Sequence, residues 1–494
     1  MAGSPHSAGL QALVREAQRT GRLAALPDKH LIGADWRASV NGARMESLDP
    51  GTGRAFTEFA AGDADDVDLA VTAAGAALRG PWRQHTPAER GAVLRQVAEL
   101  IRVHGERLAV VECLDSGKRL VEALGDVAGA ANCFDYYAGA CDKQEGSSIP
   151  LGPDYLAYTL NEPVGVTAHI IPWNYPLSTA ARGIAPALAA GCTVVAKPAE
   201  QTPLTALMLA DLCRQAGVPA GVCNVVTGTG ALAGAALVRH PGVQHITFTG
   251  SVSTGIQVMQ SAAPNVTRLV LDDCDIAAAV ESVLGAIYEN AGQICSAGSR
   301  LLIARSIHDE FVQCLAQRAQ AMTLGHGLRD VAMGPVNSEA HLRKIAGFVD
   351  RARQRGVDVV CGGGVVGDPQ TGRGWFFQPT ILDRLEPLDE AVQEEIFGPV
   401  LCVQSFDDLD QAVALANGTR FGLVAGVFTR DFGAAHRLAR DIDCGQVYIN
   451  EYFAGGISVP FGGNKMSGFG REKGLEALRS YCKLKSVAAR IALA

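Results

Sequence analysis

Four short apolar runs decide the fold: VGVTAHII (residues 164–171), TVVA (193–196), VCNVV (222–226) and VQHITF (243–248). Segments with helical periodicity separate these runs, which we interpret as strands. The segment between the second and third runs starts at Thr202 and Pro203 and ends at Gly217, so we expect Thr202 to be a helix N-cap and Pro203 the first helical residue. Repeated strand–helix–strand units of this kind build a parallel, doubly wound sheet.

The remaining chain also predicts an α/β protein. We expect upstream helices over 63–78, 87–104 and 105–116 that pack on this sheet. After residue 295 a second α/β series is predicted, with strands over 301–305, 397–406, 423–429 and 446–450 and helices over 307–322 and 342–355. A chain of 494 residues is too long for one ordinary core, so more than one domain follows.

Composition excludes several classes of function. Hydrophobic residues make up 48% of the chain and charged residues 19%, which is typical of a globular protein. The net charge of −8 disfavours a nucleic acid or an anionic membrane as partner. No apolar run is long enough to span a membrane and the first thirty residues lack a signal-peptide core, so we predict a cytoplasmic protein.

Residue spacing argues against metal and serine chemistry. The thirteen cysteines include no Cys-x-x-Cys pair, and the eleven histidines show no ligand spacing, so no metal is predicted. There is also no Gly-x-Ser-x-Gly elbow, which disfavours a serine hydrolase.

One cysteine has the surroundings of a nucleophile. Cys295 lies in the sequence YENAGQICSAGSR (288–300), among amides and small residues. A thiolate adds readily to a carbonyl carbon, and neighbouring amide donors stabilise the oxyanion that forms. Upstream, the sequence IPWNYP (171–176) contains Asn174, a candidate for such a donor.

Two glycine-rich turns follow predicted strands. GTGALAG (228–234) brings backbone near a dinucleotide, but its third glycine is one residue late for the dinucleotide fingerprint, so an ordinary turn is equally compatible. GSVSTG (250–255) has the glycine spacing of a P-loop, yet Ile256 and Gln257 replace the Lys and Ser/Thr that hold phosphate and magnesium. An NTPase is therefore disfavoured.

Several motifs in order resemble the aldehyde dehydrogenase superfamily. Besides the segments around Cys295 and Asn174, they are KPAE (197–200), FTGS (248–251) with Gly255, EEIFGP (394–399), PFGG (460–463) and SGFGRE (467–472). The resemblance implies a Rossmann-type cofactor domain (1–141 and 162–269), an α/β catalytic domain (270–463) and a small β oligomerisation arm (142–161 and 478–494). It also implies a homodimer or homotetramer.

The resemblance implies a cofactor site for NAD. Lys197 and Glu200 become candidates for the adenosine ribose hydroxyls, and the Glu200 carboxylate should repel the 2′-phosphate of NADP. Glu395 and Phe397 match positions that hold the nicotinamide ribose and the ring edge, although a capping Glu beside a core Phe is the alternative. The other cofactor residues implied are Ile170, Ile171, Pro172, Trp173, Gly228, Phe248, Gly250 and Ser251.

The chain departs from the family pattern where the general base belongs. The family places a glutamate in a Glu-Leu-Gly-Gly-Lys segment before the catalytic cysteine, but here residues 265–275 are about ten residues shorter and lack it. Glu281 and Glu289 are predicted in a helix over 277–291, which leaves Glu472, matching a second family glutamate, as the only substitute. Three readings stay open: slow deacylation, acyl transfer to a thiol such as coenzyme A, or a catalytically silent NAD-binding oligomer.

The substrate is an aldehyde of unspecified structure. Family substrate-tunnel positions correspond to Tyr175, Thr179, Arg182, Ile294, Ser296, Ser458 and Val459, and plain packing is the alternative for each. Many relatives carry an aromatic residue where Arg182 stands, and a cation there favours a carboxylate-bearing semialdehyde.

Overall fold

A computed structural model describes residues 7–250 and 267–491 of the chain. The strands are β1 His30–Ile32, β2 Asp35–Arg37, β3 Arg44–Asp49, β4 Arg54–Ala60, β5 Ser148–Ile149, β6 Tyr155–Pro163, β7 Val166–Ile171, β8 Thr193–Pro198, β9 Cys223–Val225, β10 His245–Phe248, β11 Thr267–Val270, β12 Arg300–Ala304, β13 Asp358–Cys361, β14 Val365–Val366, β15 Phe376–Phe377, β16 Thr380–Asp383, β17 Val400–Phe406, β18 Phe421–Gly422, β19 Val424–Phe428, β20 Gln446–Ile449, β21 Asn464–Lys465 and β22 Cys482–Arg490.

The α-helices are distributed along the same chain. They span Ala8–Thr20, Ala64–Leu78, Pro81–Gln84, Pro87–Val103, Gly105–Ser116, Leu120–Ala140, Pro176–Ala190, Leu204–Gln215, Ala235–Arg239, Ile276–Tyr288, His308–Gln320, Glu339–Gln354, Glu390–Gln393, Leu409–Asn417, Phe432–Asp441 and Gly474–Ser480. None of the helices in the described parts of the chain is both long and apolar enough to cross a membrane.

The four apolar runs form the predicted parallel sheet. Its strand order is β10-β7-β8-β9-β1-β2, and β10, β7, β8 and β9 run parallel. Helices Pro176–Ala190 and Leu204–Gln215 bury Leu177, Ile184 and Leu207 against one face. Helix Ala64–Leu78 buries Val67 and Val71 against the other. Because apolar helices cover both faces, the doubly wound architecture is confirmed.

The start of helix Leu204–Gln215 differs from the prediction. Pro203, not Thr202, is the capping residue, and the hydroxyl of Thr202 makes no cap hydrogen bond. Instead the Leu204 N–H donates to the buried carboxylate of Asp115, at 3.0 Å. Burial raises the pKa of Asp115 to about 8. A side chain distant in sequence therefore satisfies the first turn, which local capping rules do not reveal.

A second sheet follows, in the order β13-β16-β17-β12-β11-β19-β20. All neighbouring strands are parallel except β13, which is antiparallel to β16. The predicted strand over 397–406 starts only at Val400, because Phe397 has a positive φ of 58°. Thr267 already belongs to this sheet, although the predicted domain boundary lay after residue 269. The predicted boundary therefore falls inside β11, and the division into domains stays a prediction.

A small antiparallel sheet joins two distant segments of the chain. Its order is β22-β6-β5, and β22 pairs with β6 from Cys482 opposite Pro163 to Arg490 opposite Tyr155. These segments are the ones predicted to form the oligomerisation arm, which the structure unites in one sheet. Subunit assembly through it remains a prediction.

Candidate active site

Cys295 lies in a turn that leads into β12. The turn is closed by the Ala297 N–H, which donates to the Ile294 carbonyl at 2.9 Å. The Cys295 side chain is half-buried and lines a cavity of about 580 Å³. Thr249 and Gly250, which follow β10, line the same cavity. The carboxyl end of the first sheet thus faces the amino end of the second, and the thiol is accessible from the space between them.

The backbone before Cys295 is unusual. The helix predicted to continue to residue 291 ends at Tyr288, and Asn290 and Ala291 then adopt positive φ values of 47° and 53°. Gly292 has φ 73°, and a side chain there would collide with the Gly398 carbonyl. Glycine is therefore required where the nucleophile turn approaches the segment that precedes β17.

Asn174 lies beside this turn, and its role as an oxyanion donor stays a prediction. Its Nδ2 donates to the Gln293 carbonyl at 2.9 Å, and Asn290 Nδ2 donates to the Asn174 carbonyl at 3.2 Å. The Gln293 side chain in turn donates from Nε2 to the Asn290 carbonyl at 2.9 Å. An amide group has two N–H donors. One N–H of Asn174 therefore holds the amino side of the turn that carries Cys295.

Glu472 and Arg182 share the cavity with Cys295. Arg182 Nε lies 3.5 Å from Glu472 Oε2, and the Thr249 hydroxyl donates to Glu472 Oε1 at 3.2 Å. Arg182 Nη2 also donates to the Thr179 hydroxyl, at 3.1 Å. Both carboxylate oxygens of Glu472 thus have protein partners, and the charge of Arg182 is balanced inside the site.

The charges in the cavity act on the thiol of Cys295. Burial raises its pKa, the Arg182 guanidinium lowers it, and the carboxylates of Glu472 and Glu395 raise it further. The thiol of Cys295 is therefore mainly protonated at neutral pH.

Two other glutamates near the nucleophile in sequence lie elsewhere. Glu281 is exposed and accepts a hydrogen bond from Arg318. Glu289 follows the helix rather than lying in it, and burial, followed by repulsion from Glu122, raises its pKa to about 7. Of the glutamates in the described residues, only Glu472 lines the cavity. The family's base position falls in the shortened region (265–275), of which residues 265 and 266 are outside the described residues.

The residues predicted to bind the adenosine ribose lie at the carboxyl end of β8. Lys197 is buried, and its Nζ donates to Glu200 Oε2 at 3.1 Å. Burial lowers the pKa of Lys197, and Glu200 opposes this effect. The turn after β9 is close by, since a Cβ placed on Gly234 would lie 3.8 Å from Lys197 Cδ. A half-exposed carboxylate, a buried amine and a glycine-rich turn at one sheet edge fit the adenosine and phosphate groups of a dinucleotide.

Gly228 fixes that turn. It has φ 145°, and a Cβ there would lie 3.0 Å from the Gly62 nitrogen and closer still to the Gly62 carbonyl. The turn continues into a short π-helix, Gly230–Gly234, whose N-cap is Thr229. These contacts fit an ordinary turn as well as a dinucleotide turn, and the turn lies beside Lys197.

The predicted nicotinamide residues form an aromatic cluster. The rings of Trp173 and Phe397 meet edge to face at 5.5 Å, and His341 lies 5.3 Å from Trp173. His341 Nε2 also hydrogen-bonds the Phe397 carbonyl, at 2.6 Å. Burial raises the pKa of Glu395 to about 7, and Lys344 opposes this. No sequence motif pointed to His341, because it joins the cluster from helix Glu339–Gln354, which is distant in sequence from Trp173.

The remaining cofactor residues link neighbouring strand ends. Phe248 is opposite Ile170, and the Ala199 N–H donates to the Ile171 carbonyl at 2.9 Å. Pro172 follows directly and is half-buried. Phe248 and Gly250 line the cavity. Ser251, with Gly255, lies outside the described residues.

Of the predicted substrate residues, Arg182 lines the cavity. Ile294 and Ser296 are buried on either side of Cys295. The Tyr175 ring instead packs under the ammonium of Lys118, whose Nζ lies 4.1 Å from the ring centroid. The sequence did not single out Thr249 as a Glu472 partner or Lys118 as a Tyr175 partner, since both contacts join distant segments.

Comparisons with known proteins agree with this geometry. The sequence model described as "Aldehyde dehydrogenase family" matches residues 36–487. An aldehyde dehydrogenase of Enchytraeus buchholzi is 41% identical over 478 residues, covering 94% of this chain and 95% of the relative. The mitochondrial aldehyde dehydrogenase of Homo sapiens is 40% identical over 477 residues, covering 93% of this chain and 91% of the relative.

Solved structures give the same result. The NAD+ complex of an aldehyde dehydrogenase from Bacillus cereus superposes with a TM-score of 0.92 at 36% identity, covering 99% of each chain. The predicted fold class and the predicted enzyme class, an oxidoreductase that acts on the aldehyde group, are confirmed by these matches. On the extent and identity of these similarities, the chain belongs to the aldehyde dehydrogenase family.

Proposed function

We propose that this protein oxidises an aldehyde with NAD through a thioester on Cys295, and that it hydrolyses this thioester slowly. The observation that carries the proposal is the position of the half-buried Cys295 thiol in a cavity between the carboxyl end of β10 and the amino end of β12. NAD is supported by the ribose site at Lys197 and Glu200 and by the NAD+ complex of the Bacillus cereus relative.

The first half of the reaction, formation of the thioester, takes place at the turn that carries Cys295. The thiolate adds to the aldehyde carbon, and the Asn174 amide with the Cys295 backbone N–H stabilises the oxyanion. A bound NAD would supply the acceptor for the hydride that leaves this carbon. The carboxylate of Glu200 disfavours the 2′-phosphate of NADP by charge repulsion.

Slow deacylation follows from the missing base. General-base activation of water is typically worth about 10²- to 10⁴-fold in rate. Glu472 is the substitute that reaches the cavity, but Arg182 and Thr249 already contact its two oxygens. Hydrolysis therefore limits turnover.

A rapid-mixing experiment tests the proposal. With NAD and an aldehyde, we expect a burst of about one NADH per active site, followed by turnover at least about tenfold slower. Steady turnover without a burst would contradict slow deacylation. No NADH at all with any aldehyde, together with NADH binding, would establish the silent oligomer instead.

Acyl transfer to a thiol is the second candidate. The cavity at Cys295 is large compared with a water molecule, so it has room for a bulkier acceptor. A thiol acceptor needs less base assistance than water because a thiolate forms near neutral pH. Coenzyme A added to the stalled burst would then restore rapid NADH formation and release a new thioester. Unchanged slow turnover would exclude this acceptor.

Substrate, assembly and compartment are further proposals. A semialdehyde carboxylate would have to compete with Glu472 for Arg182, and comparing acidic with neutral aldehydes in Arg182→Ala tests this preference.

We propose a homodimer or homotetramer that assembles through β5, β6 and β22, which sedimentation of the protein and of a β22 truncation would test. We also propose a cytoplasmic location, although the human relative is mitochondrial.

A further inference from the structure

The two sides of the Cys295 turn are held by different groups. On the amino side, Asn174 holds the Gln293 carbonyl. On the carboxyl side, the Tyr452 hydroxyl donates to the Ser296 carbonyl at 2.8 Å. Tyr452 and Cys295 also pack against the same small apolar cluster, which contains Tyr448. The peptide between Ser296 and Ala297 is therefore held at its carbonyl by the Tyr452 hydroxyl and at its N–H by the Ile294 carbonyl.

Behind Tyr452 lies a fully buried cation. Arg268, on β11, places its Cζ 3.8 Å from the centre of the Tyr452 ring. Its Nη1 donates to the Val283 carbonyl at 3.1 Å, whereas Nε and Nη2 have no hydrogen-bond partner among the described residues. No carboxylate in that part of the chain pairs with it. Burying a guanidinium that pairs with no carboxylate of the described residues is costly, which favours a role for Arg268 beyond packing.

The surrounding backbone leaves room for this stack. A side chain at Gly298 would collide with the Arg268 guanidinium, and a Cβ at Gly426 would lie 2.9 Å from Tyr452 Cδ2. Gly298 belongs to the nucleophile loop, and Gly426 lies on β19 beside β11. Glycines on both sides therefore accommodate the guanidinium and the phenol together.

The chemistry of the pair suits a fixed hydrogen-bond donor. A cation over an aromatic face is attracted by the ring and makes its hydroxyl a stronger donor. Burial raises the pKa of Tyr452, so the phenol keeps its proton and donates it to the Ser296 carbonyl. Burial lowers the pKa of Arg268 and the phenol of Tyr452 opposes this shift.

We propose that Arg268 and Tyr452 are positioning residues that hold the carboxyl side of the Cys295 turn, so that the thiol points into the cavity. The proposal rests on Cys295 as the nucleophile of the proposed function. It assigns a role in the reaction to a buried arginine on β11, a strand that lies within the shortened region of the chain. The Arg268 guanidinium orients the Tyr452 phenol, and the phenol holds the Ser296 carbonyl by a hydrogen bond.

Tyr452→Phe tests the proposal because it removes only the hydroxyl. We expect Cys295 alkylation by iodoacetamide, followed by peptide mass spectrometry across pH 6–10, to slow by roughly 10- to 100-fold, the effect typical of a misplaced reacting group. The KM for NAD should not change. The matched control is Tyr448→Phe, whose hydroxyl donates to the Gln446 side chain at 3.1 Å rather than to the turn. Equal alkylation in both variants and the wild type would overturn the proposal.

Two substitutions test whether the positive charge of Arg268 is needed. Arg268→Lys should keep much of the alkylation rate, and Arg268→Met should resemble Tyr452→Phe. If Arg268→Met fails to fold, Arg268→Lys and Tyr452→Phe still decide the outcome. Normal alkylation in a folded Arg268→Met would overturn the role of the cation.

Failure of the proposed function gives a different pattern of results. An NADH burst that persists in Cys295→Ser would remove the nucleophile assignment whatever Tyr452 does. Loss of the burst in Cys295→Ser, with unchanged alkylation and burst in Tyr452→Phe, would remove only the positioning role.

Discussion

The two sheets contribute to the site in opposite ways. At the carboxyl end of the first sheet, Lys197 and Glu200 form a charge pair beside a glycine turn. At the amino end of the second sheet, Arg268 and Arg300 are buried without a carboxylate partner among the described residues, next to the loop of Cys295. The first end suits a ligand that enters and leaves. The amino end of the second sheet suits a nucleophile whose loop is held in a fixed position. Substitutions at the two ends should therefore affect different measurements.

Replacing the nucleophile should give the largest effect. Cys295→Ser should lower the NADH burst rate on the order of 10³-fold or more, because a serine hydroxyl is not ionised near neutral pH. NADH affinity, measured by fluorescence, should stay within about twofold. Cys314→Ser, at a half-buried thiol on helix His308–Gln320, is the control and should behave like the wild type. A weakened NADH affinity in Cys295→Ser would contradict the expectation that substitutions at the two ends affect different measurements.

The oxyanion donor should rank second. Asn174→Ala removes the amide that holds the Gln293 carbonyl, and a lost oxyanion donor typically costs about 10²- to 10³-fold in rate. The burst rate should fall by this amount while the KM for NAD stays unchanged. Asn161→Ala removes a comparable amide-to-carbonyl bond, from Nδ2 to the Glu145 carbonyl at 2.8 Å, far from the site. Similar losses in both variants would show a structural rather than a catalytic effect.

A substitution at the carboxyl end of the first sheet should change the choice of cofactor and leave the nucleophile unaffected. Glu200→Gln removes the charge that repels a 2′-phosphate, so the ratio of kcat/KM for NADP to that for NAD should rise about 10- to 100-fold. Cys295 alkylation should not change. Glu281→Gln, which removes an exposed carboxylate paired with Arg318, should leave the ratio unchanged. A constant ratio in Glu200→Gln would place the 2′-hydroxyl elsewhere.

The sequence predicts what local pattern determines. The strands of the first sheet follow from short apolar runs, and Lys197 and Glu200 fall at a strand end because Thr193–Pro198 is strongly apolar up to that point. Cys295 stands out because its neighbours are amides and small residues. These features depend on residues that are adjacent in the chain.

The features that the sequence misses depend on distant partners. Thr202 has the pattern of an N-cap, but the Asp115 carboxylate takes that role from 89 positions away. His341 and Tyr452 reach the site from elements that show no functional motif. Arg268 looks like an ordinary strand residue until β19 and the loop of Gly298 enclose it. Contacts of this kind follow from the packing of whole sheets, which no local rule encodes.

The smallest expected effect concerns the charges that face the thiol. Because the pKa of Cys295 is raised, its alkylation rate should increase with pH, about tenfold per unit, until the pKa is passed. Arg182 lowers this pKa and Glu472 raises it. Arg182→Met should therefore slow alkylation at pH 7.5 by roughly two- to fivefold, and Glu472→Gln should speed it by a similar factor. Shifts of the same sign in both variants would contradict direct electrostatic control, whereas opposite shifts that cancel in the double variant would show that the ion pair tunes the nucleophile without positioning it.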